Sequence, residues 1–122
     1  MRIFLVEQNV DVTSIVKPVE NFKISKQSDI LHSALLLDQL IFGSRVAIDW
    51  VLFTKTPDIK FDEFCLMEKY IPQDSKIMFS AKENSFDCFY CRPAIYTVFG
   101  NLSKTNQDYL TLSRQHIDIQ WI

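Results

Sequence analysis

Between Ser28 and Gly43 the apolar residues Ile30, Ala34, Leu37 and Ile41 recur at helical spacing, with Leu31, Leu35 and Leu40 beside them. Ser28 can serve as the N-cap, Asp29 suits the first turn and Gly43 closes the end, so the segment predicts a helix. Reading Gly43-Ser44 as a hairpin turn instead would set Asp38 across from Asp49, a repulsive cross-strand pair. Close behind the helix, Val46 to Phe53 is rich in β-branched and aromatic residues, with Val46, Ile48, Trp50 and Leu52 on one face and Asp49 on the other. That is a strand, expected to be central, and it commits the fold to a mixture of helix and sheet.

The remaining segments extend the mixture. Ile3 to Val6 reads as a short buried strand, and Val19 to Ile24, next to Pro18, as an edge strand. Thr56-Pro57-Asp58 marks a turn, after which Phe61, Phe64, Cys65 and Glu68 sit at helical spacing up to Pro72, although Phe64, Leu66 and Tyr70 also fit a period of two. Lys76 to Ser80, Phe86 to Tyr90 and Ile95 to Phe99 read as strands separated by Lys82 to Ser85 and by the Arg92-Pro93 break, with Gly100-Asn101 as a tight turn. Ile117 to Ile122 reads as a last strand docked in the sheet, with Ile117, Ile119 and Trp121 on one face. The expectation is an α+β fold, a largely antiparallel sheet of about five or six strands covered by one or two helices. With 122 residues, no repeat and no linker, one domain over 1–122 is expected.

Composition removes whole classes of function. Two glycines in the chain, Gly43 and Gly100, stand far apart, so the glycine-rich loops that cradle phosphates and the Gly-x-Ser-x-Gly nucleophile turn are absent. A net charge of -2, from interspersed charges of both signs, lacks the basic footprint of a nucleic-acid binder. Asp38, Arg45 and Asp49 break the most apolar third of the chain, which excludes a membrane span there, and Ile3 to Val6 is too short for a signal-peptide core. The expected location is the cytoplasm, with reduced thiols.

Three groups of residues carry candidate chemistry. Cys88-Phe89-Tyr90-Cys91 is a C-x-x-C that, with Cys65 and His116, has the ligand types of a zinc site or the spacing of a dithiol. A second C-x-x-C is missing, and the expected strand after Cys91 denies the pair the helix N-terminus that activates a redox thiol, so structural cysteines are the expectation. His32 and His116 have the chemistry of an acid and base pair, but nothing in the sequence places them together. Asp58, Asp62, Glu63, Glu68 and Asp74 form the densest acidic region, interleaved with Lys60, Lys69 and Lys76. This is either a solvated helix face or a docking surface for a basic protein, and Phe89 and Tyr90, on opposite faces of one strand, are candidate aromatic anchors beside it.

By exclusion, the sequence points to a non-catalytic intracellular binding protein of a bacterium. Its role would be that of an inhibitor, an immunity protein or antitoxin, which covers the active surface of one cognate protein, such as a basic toxin domain. Neither nucleic acid, membrane nor cofactor is called for. The alternatives are a small metal- or thiol-dependent enzyme built on Cys88 and Cys91, and a structural subunit of a homo-oligomer or phage assembly.

Overall fold

The computed structural model describes residues 1–16, 20–23, 30–81, 86–104 and 117–122. Six strands form one sheet: β1 (Arg2–Glu7), β2 (Glu20–Lys23), β3 (Trp50–Thr54), β4 (Ile77–Ser80), β5 (Cys88–Cys91) and β6 (Asp118–Trp121). Among the described residues three helices accompany them: α1 (Ile30–Asp38), extended by a π-helical turn over Gln39–Gly43, α2 (Phe61–Glu68) and α3 (Pro93–Lys104). The fold is α+β, as expected.

The strand order is β2-β1-β3-β5-β4-β6. The pairings of β5 with β3 and with β4 are antiparallel, whereas β1 with β2, β1 with β3, and β4 with β6 are parallel. The sheet is therefore mixed, and only β5 runs against the other five. All five strands that share a direction end at the same edge, here called the carboxyl edge, and β5 delivers the chain to the opposite, amino edge.

Helices cover both faces, and this explains the unbroken apolar runs in the strands. On one face Phe4, Val6, Val51, Phe53, Phe89 and Cys91 pack with Ala34 and Leu37 of α1 and Ile95 and Tyr96 of α3. On the other, Ile3, Leu5, Trp50, Leu52, Phe79, Cys88 and Tyr90 pack with Phe61 and Phe64 of α2. Phe64 organises that second core: it stacks on Tyr90 at 3.9 Å and meets the Trp50 ring edge-on at 5.0 Å. Truncating a fully buried aromatic of this kind costs about 3–5 kcal/mol. Between α1 and α3 the buried Ser33 and Tyr96 hydroxyls share a hydrogen bond of 2.6 Å, and Thr97 donates to Asp38 at 3.2 Å.

The structure corrects several local expectations. Ile95 to Phe99 is the middle of α3, not a strand, and Gly100-Asn101 lies inside that helix instead of forming a turn. Pro93 occupies the first helical position, where its missing N–H costs nothing, and the Arg92 carbonyl accepts the N–H groups of Ile95 and Tyr96. The strand expected from Val46 begins at Trp50, after Arg45 has taken a left-handed turn with φ 54°. It is central in the sheet, as expected, and β2 is indeed an edge. The expected helix over 28–43 is present from Ile30, while its N-cap Ser28 lies outside the described residues. Among the described residues no helix is long and apolar enough to cross a membrane.

Candidate functional site

The C-x-x-C pair is split by the sheet. Side chains alternate along a strand, so Cys88 joins the core under α2 and Cys91 the core under α1 and α3. Cys65, on α2, lies on the Cys88 side only. The alternative metal set of Cys65, Cys88, Cys91 and His116 is therefore not assembled: two of its sulfurs face opposite ways, and His116 lies outside the described residues. No group of three or more metal-ligating side chains occurs among the described residues, and the exposed His32 stands on α1. A helix does follow Cys91, contrary to the expected strand, but it does not activate the thiol. Cys91 is fully shut from water and burial raises its pKa. Burial also pushes the Cys88 thiol up to about 12, helped by the charges of Asp58 and Asp87 and opposed by a hydrogen bond with Thr54.

The proposed aromatic anchors also need correction. Phe89 and Tyr90 are both buried, because α3 covers one side of β5 and α2 the other. The Tyr90 hydroxyl donates to the Ile59 carbonyl, and Phe89 stacks on Phe53. Neither offers surface to a partner.

The five acidic candidates separate into distinct roles. Asp62 and Glu63 are exposed in the first turn of α2, where carboxylates also suit the helix dipole. Glu68 is turned inward and accepts a hydrogen bond from Trp50 Nε1 at 3.3 Å. Asp74 is exposed on the turn after α2, and Asp58 lines a cleft just before it. Sequence reasoning missed what stands beside Asp62 and Glu63. Leu66, one helical turn after Asp62 on the outward face of α2, is 68% exposed, and Tyr70, in the turn just past the helix with the Lys69 ammonium 5.3 Å from its ring centre, is 76% exposed.

At the amino edge Arg92, only 6% exposed, closes the gap between β3 and the turn after α2. Its guanidinium donates to the carbonyl oxygens of Asp49 at 2.7 Å, Ile71 at 2.6 Å and Pro72 at 3.2 Å, and lies 3.8 Å from the Trp50 ring centre. Burial lowers its pKa. The signal in the sequence was Arg92-Pro93 itself, a helix start that reads equally well as a strand break.

At the carboxyl edge lies a cleft of about 430 Å³ lined by Thr56, Asp58, Lys60, Asp87, Cys88 and Trp121, together with Ala81 and Ile122. Backbone hydrogen bonds tie its rims: Lys55 N–H to the Asp87 carbonyl, Ala81 N–H to Cys88, and Ile122 N–H to Ser80. Lys60 holds a left-handed backbone, φ 47°, at the start of α2, and its ammonium donates to the Ile122 carbonyl oxygen at 3.0 Å. Thr54 Oγ1 fixes the loop above by donating to the Thr56 carbonyl at 2.6 Å.

Compared with protein-family models, with curated proteins and with solved structures, the chain finds no match.

Proposed function

We propose that the chain is a non-catalytic protein-binding module that neutralises a cognate basic protein by covering its working surface, as an immunity protein or antitoxin does to a toxin domain. The observation that carries this reading is the outward face of α2. Leu66 stands exposed one turn after Asp62 and Glu63, and Tyr70 stands exposed in the turn that follows the helix. Apolar anchors supply affinity when a partner desolvates them, and carboxylates around them favour and steer a basic surface. The burial and raised pKa values of Cys88 and Cys91 support a role without thiol chemistry.

The test is native mass spectrometry on the protein purified from its own host, followed by binding measurements on the partner found. The expected result is one basic polypeptide at equal stoichiometry. Its affinity should fall about 30-fold or more with Leu66→Asp or Tyr70→Ala, the range of a hot-spot residue, and should weaken as salt is added. A partner that binds both variants as well as the parent would remove α2 from the interface. A homo-oligomer dispersed by Phe42→Ser would shift the function to self-association, since Phe42 is 77% exposed on the π-helical turn after α1.

A further inference from the structure

We propose that Lys60 is a latch that fastens the end of the edge strand β6 to the start of α2, and that β6 leaves the sheet as a unit when the latch is released while the other strands stay paired. The proposal is independent of the outward face of α2. Among the described residues β6 pairs with β4 alone and forms one edge of the sheet. It is four residues long, and Asp118, Gln120 and Trp121 are exposed, whereas every residue of β3, β4 and β5 is buried. A segment with so little apolar burial opens at a lower free energy than the core around it.

Lys60 is a poor local choice for its position, and in two separate respects. Its backbone is left-handed, φ 47° and ψ 48°, a conformation that disfavours a residue with a Cβ by roughly tenfold in equilibrium constant and that glycine adopts without loss. It also stands at the N-cap of α2, where it makes no side-chain cap and sets a cation at the positive end of the helix dipole. Serine, aspartate, asparagine or glycine would serve the helix better. What lysine supplies instead is reach: its ammonium donates to the Ile122 carbonyl oxygen at 3.0 Å, just past the end of β6. The Ile122 N–H donates to the Ser80 carbonyl at 2.9 Å, so both backbone groups of Ile122 are held, one by β4 and one by Lys60. Local misfit at a residue with one distant polar contact points to that contact as its purpose, and a charge-assisted hydrogen bond is stronger than the neutral bonds of the ladder.

The experiment is amide hydrogen exchange, read by NMR on the full chain, with urea denaturation of the same samples. The reporters are the Asp118 and Ile122 amides, which donate to Lys76 and Ser80 of the β4 side, against the amides of β3. The variants are Lys60→Met, Lys60→Gly and Lys60→Arg. In the parent the Asp118 and Ile122 amides should exchange faster than those of β3, the sign of an opening short of global unfolding. Lys60→Met removes the ammonium and keeps the backbone cost, and should quicken exchange at Asp118 and Ile122 by about threefold to tenfold, the range of one hydrogen bond. Lys60→Gly removes both. Its exchange at β6 should match that of Lys60→Met, while its global unfolding constant should be smaller than that of Lys60→Met by roughly tenfold, because the left-handed cost is gone. Lys60→Arg, which still carries a donor cation, should keep β6 protected. Exchange at Asp118 and Ile122 that only follows global unfolding, that is unchanged in Lys60→Met, or that is restored to the parent's rate in Lys60→Gly overturns the proposal. None of these readouts involves Leu66 or Tyr70, so failure here leaves the α2 interface untouched.

Discussion

The two edges of the sheet handle charge in opposite ways. At the amino edge a single guanidinium is buried, held by three carbonyl oxygens and a ring, and the hydrogen bonds that hold it join β3 to the end of α2. At the carboxyl edge Asp58, Asp87 and Lys60 surround an open cleft. A buried cation stabilises only when its donors are used, and breaking such a set costs far more than making it contributes. Charges at an open cleft stay in contact with water, so losing a partner there costs less. The amino edge is thus read as architecture and the carboxyl edge as the more tolerant end of the sheet.

The comparison can be broken most forcefully at Arg92. Arg92→Ala leaves three carbonyl oxygens without their donor and uncovers Trp50, and should cost roughly 3–5 kcal/mol by urea denaturation. Arg92→Lys should recover only part, since a point ammonium cannot span three acceptors in a fork. A loss below about 1 kcal/mol for the alanine variant, the size of one ordinary hydrogen bond, would show that the amino edge is as tolerant as the other.

A smaller effect comes from the thiols, one toward each edge. An unfolded chain releases the Cys88 proton near the ordinary 9.0, while the folded protein keeps it to about 12. Between those values the native state binds more protons, so stability is whole below pH 9 and falls as the pH rises. Each such thiol contributes a slope of about 1.4 kcal/mol per pH unit. Cys91, raised by burial alone, acts with the same sign. Stability measured at pH 8, 9 and 10 should therefore decline less steeply in Cys88→Ala and in Cys91→Ala than in the parent. Parallel curves would mean that the thiols are open to water.

The smallest change is expected at the cleft. Asp58→Asn, at an exposed position, should alter stability by no more than about 0.5 kcal/mol. A loss comparable with that of Arg92→Ala would make the carboxyl edge structural as well and erase the contrast.

How much of this was legible in the sequence depends on what kind of information each feature needs. β1, β3, β4 and β5 were visible as apolar runs, because strands buried on both faces show no alternation to disguise. The same lack of alternation hid where Phe89 and Tyr90 point: both can lie inside once helices cover both faces, which a local pattern does not reveal. Ile95 to Val98 is written in strand-forming residues, and the helix there is imposed by Pro93 at its start and by Ile95 and Tyr96 docking against α1, a tertiary override of propensity. The acidic region was found, but its division was not. The turn of Glu68 toward Trp50 depends on how α2 sits on the sheet, and the cleft joins residues 56–60 to 87–88 and 121–122, a proximity that only the strand order creates.

That strand order has a consequence for how the chain acquires its shape. β3 and β4 touch no common strand except β5, which lies between them and is the only one to run in reverse. Until Cys88–Cys91 is in place, β2-β1-β3 and β4-β6 are two separate ladders, each with a raw hydrogen-bonding edge where the other belongs. During synthesis β3 waits with that edge open until β5 has been made, an interval in which an unpaired strand can join the wrong neighbour. Joining β3 to β4 is a non-local event that depends on four residues, and contacts of such long sequence separation slow folding. Substitutions within those four residues should govern whether newly made chains reach the native state at all, before any question of how stable it is once formed.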